Sequence, residues 1–275
     1  MRQRRHSPGH LAWRGAVAVA SDLLMASGVY PMVPHAGMAW SRWRKGRPQP
    51  AGPVRVALRE WGAAVALSAA RPLGFLPLPG ARTRGPRPII LVHGYAMNRA
   101  NFVVLARRLA AAGLGPVLGF EYWSLGKTGS AARRLGRYVD RVLAATGADQ
   151  VDLVGHSMGG VVGRYYASLG DGDGKLANLI TLGSPHSGTD VSVIGLGAPT
   201  KELFLNSTLI QRLDAAPRLV RTRLTVIWSR SDAFVPGVRH ARVDGADEVL
   251  FDDLGHLSLL TDRRVADEVI ARLRR

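Results

Sequence analysis

Residues 151–160 read VDLVGHSMGG. Within them, Gly155-His156-Ser157-Met158-Gly159 is a G-x-S-x-G pentapeptide. An apolar run (Val151, Leu153, Val154) leads in, and a helix-compatible stretch (Val161 to Leu169) leads out. In a chain with 32 glycines the pentapeptide alone could arise by chance. A serine between a buried strand and a helix is the context that makes it a nucleophile elbow. The turn there is sharp and strained, and the chain crowds itself around the serine. Gly155 and Gly159 relieve the crowding because they carry no Cβ. Ser157 is then exposed at the carboxyl end of its strand. The Met158 amide and the N-terminus of the next helix face any oxyanion formed there.

Around the elbow, the chain from Pro88 onward alternates short apolar runs with amphipathic stretches, the pattern of a parallel α/β sheet flanked by helices. Strands are predicted over Ile89–Val92, Pro116–Glu121, Val151–Val154, Leu176–Leu182, Leu224–Trp228 and Val249–Leu254. Helices are predicted over Ala100–Ala112, Ala131–Ala145, Lys201–Leu213 and Arg264–Leu273. Gly113 and Gly147 stop the first two.

A serine hydroxyl needs a base to take its proton, and the base needs an orienting acid. In an open parallel sheet both belong in loops after the carboxyl ends of strands. Of eight histidines, His6, His10 and His35 lie near the N-terminus. His156 adjoins Ser157 but is expected to point away from the exposed face of the elbow. His256 directly follows the last strand, in Leu254-Gly255-His256-Leu257, and is the predicted base; His240 is the fallback. Asp232 is the first carboxylate after the penultimate strand and is the predicted acid. Asp252 and Asp253 are rivals at the end of the last strand, whereas Asp244 and Asp247 sit in a polar turn. The resulting chain order is Ser157, Asp232, His256, as expected of this architecture.

A second oxyanion donor should come from the loop after the first strand, which reads Leu91-Val92-His93-Gly94-Tyr95. Gly94 lets the backbone turn so that the Tyr95 amide faces Ser157, and His93 supports the loop. The segment Thr181 to Thr189, with His186, follows another strand end and is assigned to site architecture. Val191 to Leu213 is apolar through Leu203, Phe204, Leu205, Leu209, Ile210 and Leu213. These residues are candidates for an acyl pocket or lid; ordinary packing of a helix on the sheet is the other reading.

Residues 1–85 differ in character. Positions 1–88 hold 14 basic residues against 2 acidic ones, so most of the chain's net charge of +17 is N-terminal. Gly15 to Val29 is apolar but carries Asp22, and Pro31 and Pro34 follow. Val54 to Ala70 reads as an amphipathic helix, with Val54, Leu58, Trp61 and Val65 at helical spacing. Neither stretch reaches the ~20 uninterrupted apolar residues of a membrane span. A basic, apolar segment of this kind suits an anionic membrane surface or the flank of a catalytic domain. The expected division is therefore 1–85, an N-terminal helical extension, and 86–275, a minimal catalytic domain. No zinc-finger or RNA-binding pattern accompanies the basic residues, so no nucleic-acid partner is expected. With no cysteine there is neither a disulfide nor a thiol nucleophile. That fits a cytoplasmic or membrane-associated protein and is compatible with export.

The set HGY, GHSMGG, SPHSGT, SDAFVP and LGHLSLL resembles the bacterial lipase/esterase branch of the α/β-hydrolases over residues 86–275. The resemblance implies Ser157, Asp232 and His256 as triad and the Tyr95 and Met158 amides as oxyanion hole. It also implies no cofactor. Larger relatives carry an Asp two residues after the catalytic His for structural calcium, and here that position is Ser258. The expected activity is hydrolysis of carboxylic esters, lipid-like or otherwise apolar. An acyltransferase or thioesterase would use the same residues, and a catalytically silent binding module is the reading from another class.

Overall fold

The computed structural model describes residues 52–190 and 196–275. The N-terminal histidines and the Gly15–Val29 stretch lie outside the described residues. Six strands form one parallel sheet: β1 (Ile89–Val92), β2 (Val117–Phe120), β3 (Val151–His156), β4 (Leu176–Leu182), β5 (Arg223–Ser229) and β6 (Asp247–Phe251), in the order β2-β1-β3-β4-β5-β6. β1, β3 and β4 are buried along their whole length. That follows from their sequences, which are apolar nearly throughout, as strands covered on both faces must be.

Alternate side chains of one strand feed two cores. Ile89 and Leu91 join the cluster under helices α1 (Pro53–Ala70), α2 (Val103–Ala111) and α7 (Arg263–Leu273). Ile90 and Val92 join the cluster under α3 (Thr128–Thr146) and α4 (Met158–Leu169). The strand order reverses between β1 and β3, since β1 hands the chain to β2 on one side and β3 carries it back on the other. The crevice at such a switch point is where open α/β sheets bind ligands. The loop after β1 and the elbow after β3 both open into it.

Two expectations need correction. The proposed single helix over Lys201–Leu213 is two pieces, α5 (Pro199–Glu202) and α6 (Thr208–Asp214). Asn206 sits at φ 56° between them, and Ser207 caps α6 by accepting from the Ile210 N–H. A residue in the left-handed region followed by an Ser N-cap ends one helix and starts another. The last strand stops at Phe251, which leaves Asp252 to Leu254 in the following loop.

Helix α1 spans almost the predicted range and presents two distinct faces. Val54, Leu58, Trp61 and Val65 face outward, with Val54 71% exposed. Val56, Ala57, Glu60, Ala63, Ala64 and Leu67 face the sheet. The inward stripe is narrow and small-sided, so α1 lies close against the loop that follows β6. Ala63, Ala64 and Leu67 share a core with Leu254, Leu257 and Leu259. Burying a side chain such as Leu67 stabilises this packing by about 2 kcal/mol. Between α1 and β1, Arg71–Phe75 form a 3-10 turn whose Phe75 is 93% exposed. No helix among the described residues is long and apolar enough to cross a membrane.

Candidate active site

Ser157 sits between β3 and α4 with φ 54° and ψ −127°. That is strained for a residue with a Cβ. The strain is held because the Ser157 N–H donates to Leu182 O across the sheet at 2.8 Å and α4 begins at Met158. As the first residue of that helix, Met158 has an amide without an intrahelical acceptor. The need for glycine on both sides is steric. A Cβ at 155 would come within 2.6 Å of Gly160 Cα. At 159 it would overlap Val92 O and lie 2.6 Å from His93 O. The crowding at Gly159 is thus against β1 rather than only within the elbow.

Asp232 and His256 meet. His256 Nδ1 is 2.8 Å from Asp232 Oδ2, and both residues are buried. Asp232 Oδ1 accepts from the Phe234 and Val235 amides at 2.8 and 2.9 Å, which fixes the carboxylate plane. A carboxylate partner requires Nδ1 to carry the proton, so Nε2 of His256 is left as the basic nitrogen. Burial alone would raise the Asp232 carboxyl, but His256 and the two amides outweigh it and hold it below its ordinary value. Burial likewise disfavours a charged His256, yet Asp232 and then Glu60 outweigh that and raise it.

The elbow histidine is tied to this pair. His156 Nε2 donates to the His256 carbonyl at 3.0 Å, and the two rings lie 4.7 Å apart. Residue 156 therefore brings the His256 loop beside Ser157. Burial, and next the adjacent His256, push His156 down to about 3, so it stays neutral.

The loop after β1 closes over the elbow. A Cβ at Gly94 would sit 3.0 Å from Ser157 Cβ and 3.2 Å from His156 Nδ1, so a larger residue here would crowd the elbow. His93 is buried, stacks on Tyr122 at 4.5 Å, and has Nε2 3.5 Å from Glu121 Oε2. The Tyr122 hydroxyl donates to His93 O at 2.7 Å. The Tyr95 hydroxyl donates to Leu196 O at 2.9 Å, which links this loop to the segment beyond β4.

The other expected residues divide cleanly. His186 is buried, with Nε2 2.9 Å from Thr181 Oγ1, and burial followed by Arg164 pushes it well below the ordinary histidine value. His240 is engaged elsewhere, with Nδ1 2.8 Å from Gly188 O. Asp252 pairs with Arg230, and Asp253 with Arg59 and Arg264; neither approaches a histidine ring. Leu203 and Leu213 lie in the core under α4, with Leu209 packed against it; Ile210 is buried and Phe204 is 40% exposed. The helix Thr208–Asp214 packs against α4. Among the described residues, no three His, Asp or Glu side chains converge as metal ligands would.

An all-parallel sheet, a strained serine on a strand–helix elbow and a buried Asp–His pair behind it leave one architecture. The chain has the α/β-hydrolase fold. Residues 87–199 match the family model for that fold. A triacylglycerol lipase of Burkholderia plantarii is 37% identical over 139 residues, which covers 47% of this chain and 37% of that protein. A triacylglycerol lipase of Pseudarthrobacter phenanthrenivorans is 47% identical over 53 residues, covering 19% of this chain and 16% of that protein. The matches thus span well under half the length of these curated relatives. Among solved structures, the mature Bacillus licheniformis lipase BlEst2 superposes with a TM-score of 0.60 at 15% identity, over 68% of this chain and 91% of that one. In this fold, the parts not singled out from the sequence are Glu60 and the bracket made by His156. The signal for Glu60 was present in its spacing. It falls on the helical face of Val56, Ala63, Ala64 and Leu67, where a charge is out of place unless it has partners.

Proposed function

We propose that this protein is a serine hydrolase that cleaves carboxylic esters of lipid-like or other apolar substrates through an acyl-serine intermediate. Ser157 is the nucleophile, His256 the base and Asp232 the residue that orients it. The Tyr95 and Met158 amides bind the oxyanion. The reading rests above all on the buried Asp232–His256 pair, held by His156 beside the strained Ser157.

In this mechanism Ser157 Oγ attacks the ester carbonyl carbon and gives its proton to His256 Nε2. The tetrahedral oxyanion is held by the two amides, which need no reorganisation. The C–O bond to the leaving alcohol breaks as His256 returns the proton to it. A water then attacks the acyl-serine by the same base, and the carboxylic acid leaves. Asp232 stays ionised throughout and keeps the ring in the tautomer that presents Nε2.

Two observations favour apolar substrates: the names of the curated relatives, and the outward face of α1. Val54, Leu58, Trp61 and Val65 are exposed on α1 together with Arg55, and Leu73, Phe75 and Leu76 are exposed in the segment that follows. Such a surface suits peripheral contact with an anionic lipid layer.

Hydrolysis of nitrophenyl esters over a series of acyl lengths, with Ser157→Ala alongside, tests the proposal. Hydrolysis by the wild type that disappears in the variant is expected. Equal rates in both would refute the hydrolase reading, and a preference for acetyl over longer chains would refute the lipid-like substrate. Product analysis with an added alcohol separates hydrolysis from acyl transfer.

A further inference from the structure

We propose that Glu60, on α1 and outside the segment that matches the hydrolase family model, is a positioning residue for His256. Its carboxylate anchors the backbone of the loop that carries the ring. The inference rests on the triad reading above.

The geometry is specific. Glu60 is fully buried. Its Oε1 accepts from the Leu257 N–H at 2.6 Å, and its Oε2 from the Ser258 N–H at 3.0 Å. These are the two amides immediately after His256. On the other side, a Cβ at Gly255 would overlap Glu60 Oε2 and lie 2.6 Å from its Cδ, so the carboxylate is what excludes a side chain there. The loop is clamped again one residue along α1, where Arg59 Nη1 meets Asp253 Oδ2 at 2.7 Å. Ser258 Oγ closes the turn internally by accepting from the Gly255 N–H at 2.7 Å.

Hydrogen bonds to a carboxylate are stronger than neutral ones, and losing the acceptor would leave two buried donors unmet. His256 is thereby held from three elements: Asp232 grips its ring from the loop after β5, His156 holds its carbonyl from β3, and Glu60 holds the next two amides from α1. The charged or titratable groups facing the ring from these elements are Asp232, His156 and Glu60; the Phe234 ring lies 5.1 Å away. His156 is neutral at working pH, so the field favouring a protonated His256 comes from Asp232 first and Glu60 second.

The test uses the full chain with Glu60→Gln and Glu60→Asp. It reads kcat and KM on a soluble nitrophenyl ester, the pH profile of kcat/KM, and the rate at which a fluorophosphonate labels Ser157. Rates are referred to the amount of labelled serine, so a smaller folded fraction does not mimic the effect. Glu60→Gln keeps reach and loses charge. It should lower kcat about tenfold, change KM much less, and move the acid limb of kcat/KM to lower pH. Glu60→Asp keeps the charge and should keep the acid limb near wild type with a smaller loss in kcat. An unmoved acid limb and wild-type labelling in Glu60→Gln, even with a lowered Tm, would overturn the proposal. Should Glu60→Gln not fold, a wild-type labelling rate in Glu60→Asp, whose carboxylate is one methylene short of the two amides, would overturn it equally. Ester hydrolysis that survives Ser157→Ala would instead refute the triad reading itself.

Discussion

His256 Nδ1 stands 2.8 Å from Asp232 Oδ2, with both side chains closed off from solvent, whereas Asp253 spends its carboxylate on Arg59 and Arg264. Asp232 and its rival Asp253 are therefore distinguished by partner. Asp232→Asn should lower kcat by about 10³ to 10⁴ with little change in fold, because an amide no longer enforces the Nδ1–H tautomer. Asp253→Asn should stay within a fewfold of wild type and cost at most about 1 kcal/mol of stability. Steady-state kinetics and thermal melts on both variants check this, and a large loss in Asp253→Asn alone would reverse the assignment.

The same pair sets a pH dependence. Burial works against the His256 cation, but Asp232 and Glu60 outweigh it and raise the ring above its ordinary value of 6.5. A base must be unprotonated to act, so the acid limb of kcat/KM should have its midpoint above pH 6.5. In Asp232→Asn the residual activity should titrate at lower pH, since the larger of the two favourable charges is gone. A wild-type midpoint below 6 would contradict this balance of burial and charge.

Much of this arrangement could be read from the chain because the fold ties chemistry to strand ends. Ser157, Asp232 and His256 each follow an apolar run, and a parallel sheet places such positions along one edge. β4 spans the predicted residues, since seven consecutive buried positions admit little ambiguity. What was not legible has local reasons. The apolar spacing on α1 left open which face meets the sheet, and a helix packed tightly on a loop buries small side chains. Ala63, Ala64 and Glu60 therefore go inside while Trp61 goes outside. The break at Asn206 and Ser207 overrode an otherwise helical pattern. The spacing marks Glu60 as a charge on a buried face, but not its partners, which are backbone amides almost 200 residues away that no side-chain motif records.

Gly159 tests the elbow independently of any acid or base. An added methyl would collide with backbone carbonyls of Val92 and His93, which cannot move without breaking the β1–β3 pairing. Gly159→Ala should cost about 3 kcal/mol and abolish activity, consistent with overpacking against rigid atoms. Gly113→Ala is the control. Its φ of 73° strains an alanine, but nothing lies near the added methyl, so the loss should be about 1 kcal/mol. Equal stability of the two variants in urea melts would show that the elbow is looser than its geometry.

His156 makes a prediction about stability rather than rate. Its folded value of about 3 lies below the ordinary 6.5, so the unfolded chain binds a proton there that the folded chain refuses. Its contribution is complete above pH 6.5 and is lost as pH falls toward 3. The loss through this one group is roughly 4 kcal/mol. His186, also held neutral by burial, acts in the same direction. Asp232 is depressed and His256 raised, so neither adds slope between pH 4 and 6.5. In that window His156→Gln, whose amide can still donate to His256 O, should show a distinctly shallower fall in unfolding free energy than wild type. Parallel slopes would mean that the elbow histidine accepts a proton in place.

The two faces of α1 separate lipid contact from folding. Leu58 and Trp61 point outward, 60% and 45% exposed, beside exposed Arg55, while Leu67 is buried in the core shared with the His256 loop. Leu58→Glu with Trp61→Glu should leave Tm and hydrolysis of a soluble ester nearly unchanged. It should also lower partitioning onto vesicles containing phosphatidylglycerol at least tenfold, since two apolar anchors are replaced by charges of the membrane's own sign. Leu67→Ala should do the reverse. It should cost about 3 kcal/mol by opening a cavity, yet the folded fraction should bind vesicles as wild type does. Vesicle sedimentation and thermal melts on the same preparations decide the matter. If the double glutamate variant partitions like wild type, the outward face of α1 is not the surface that meets lipid.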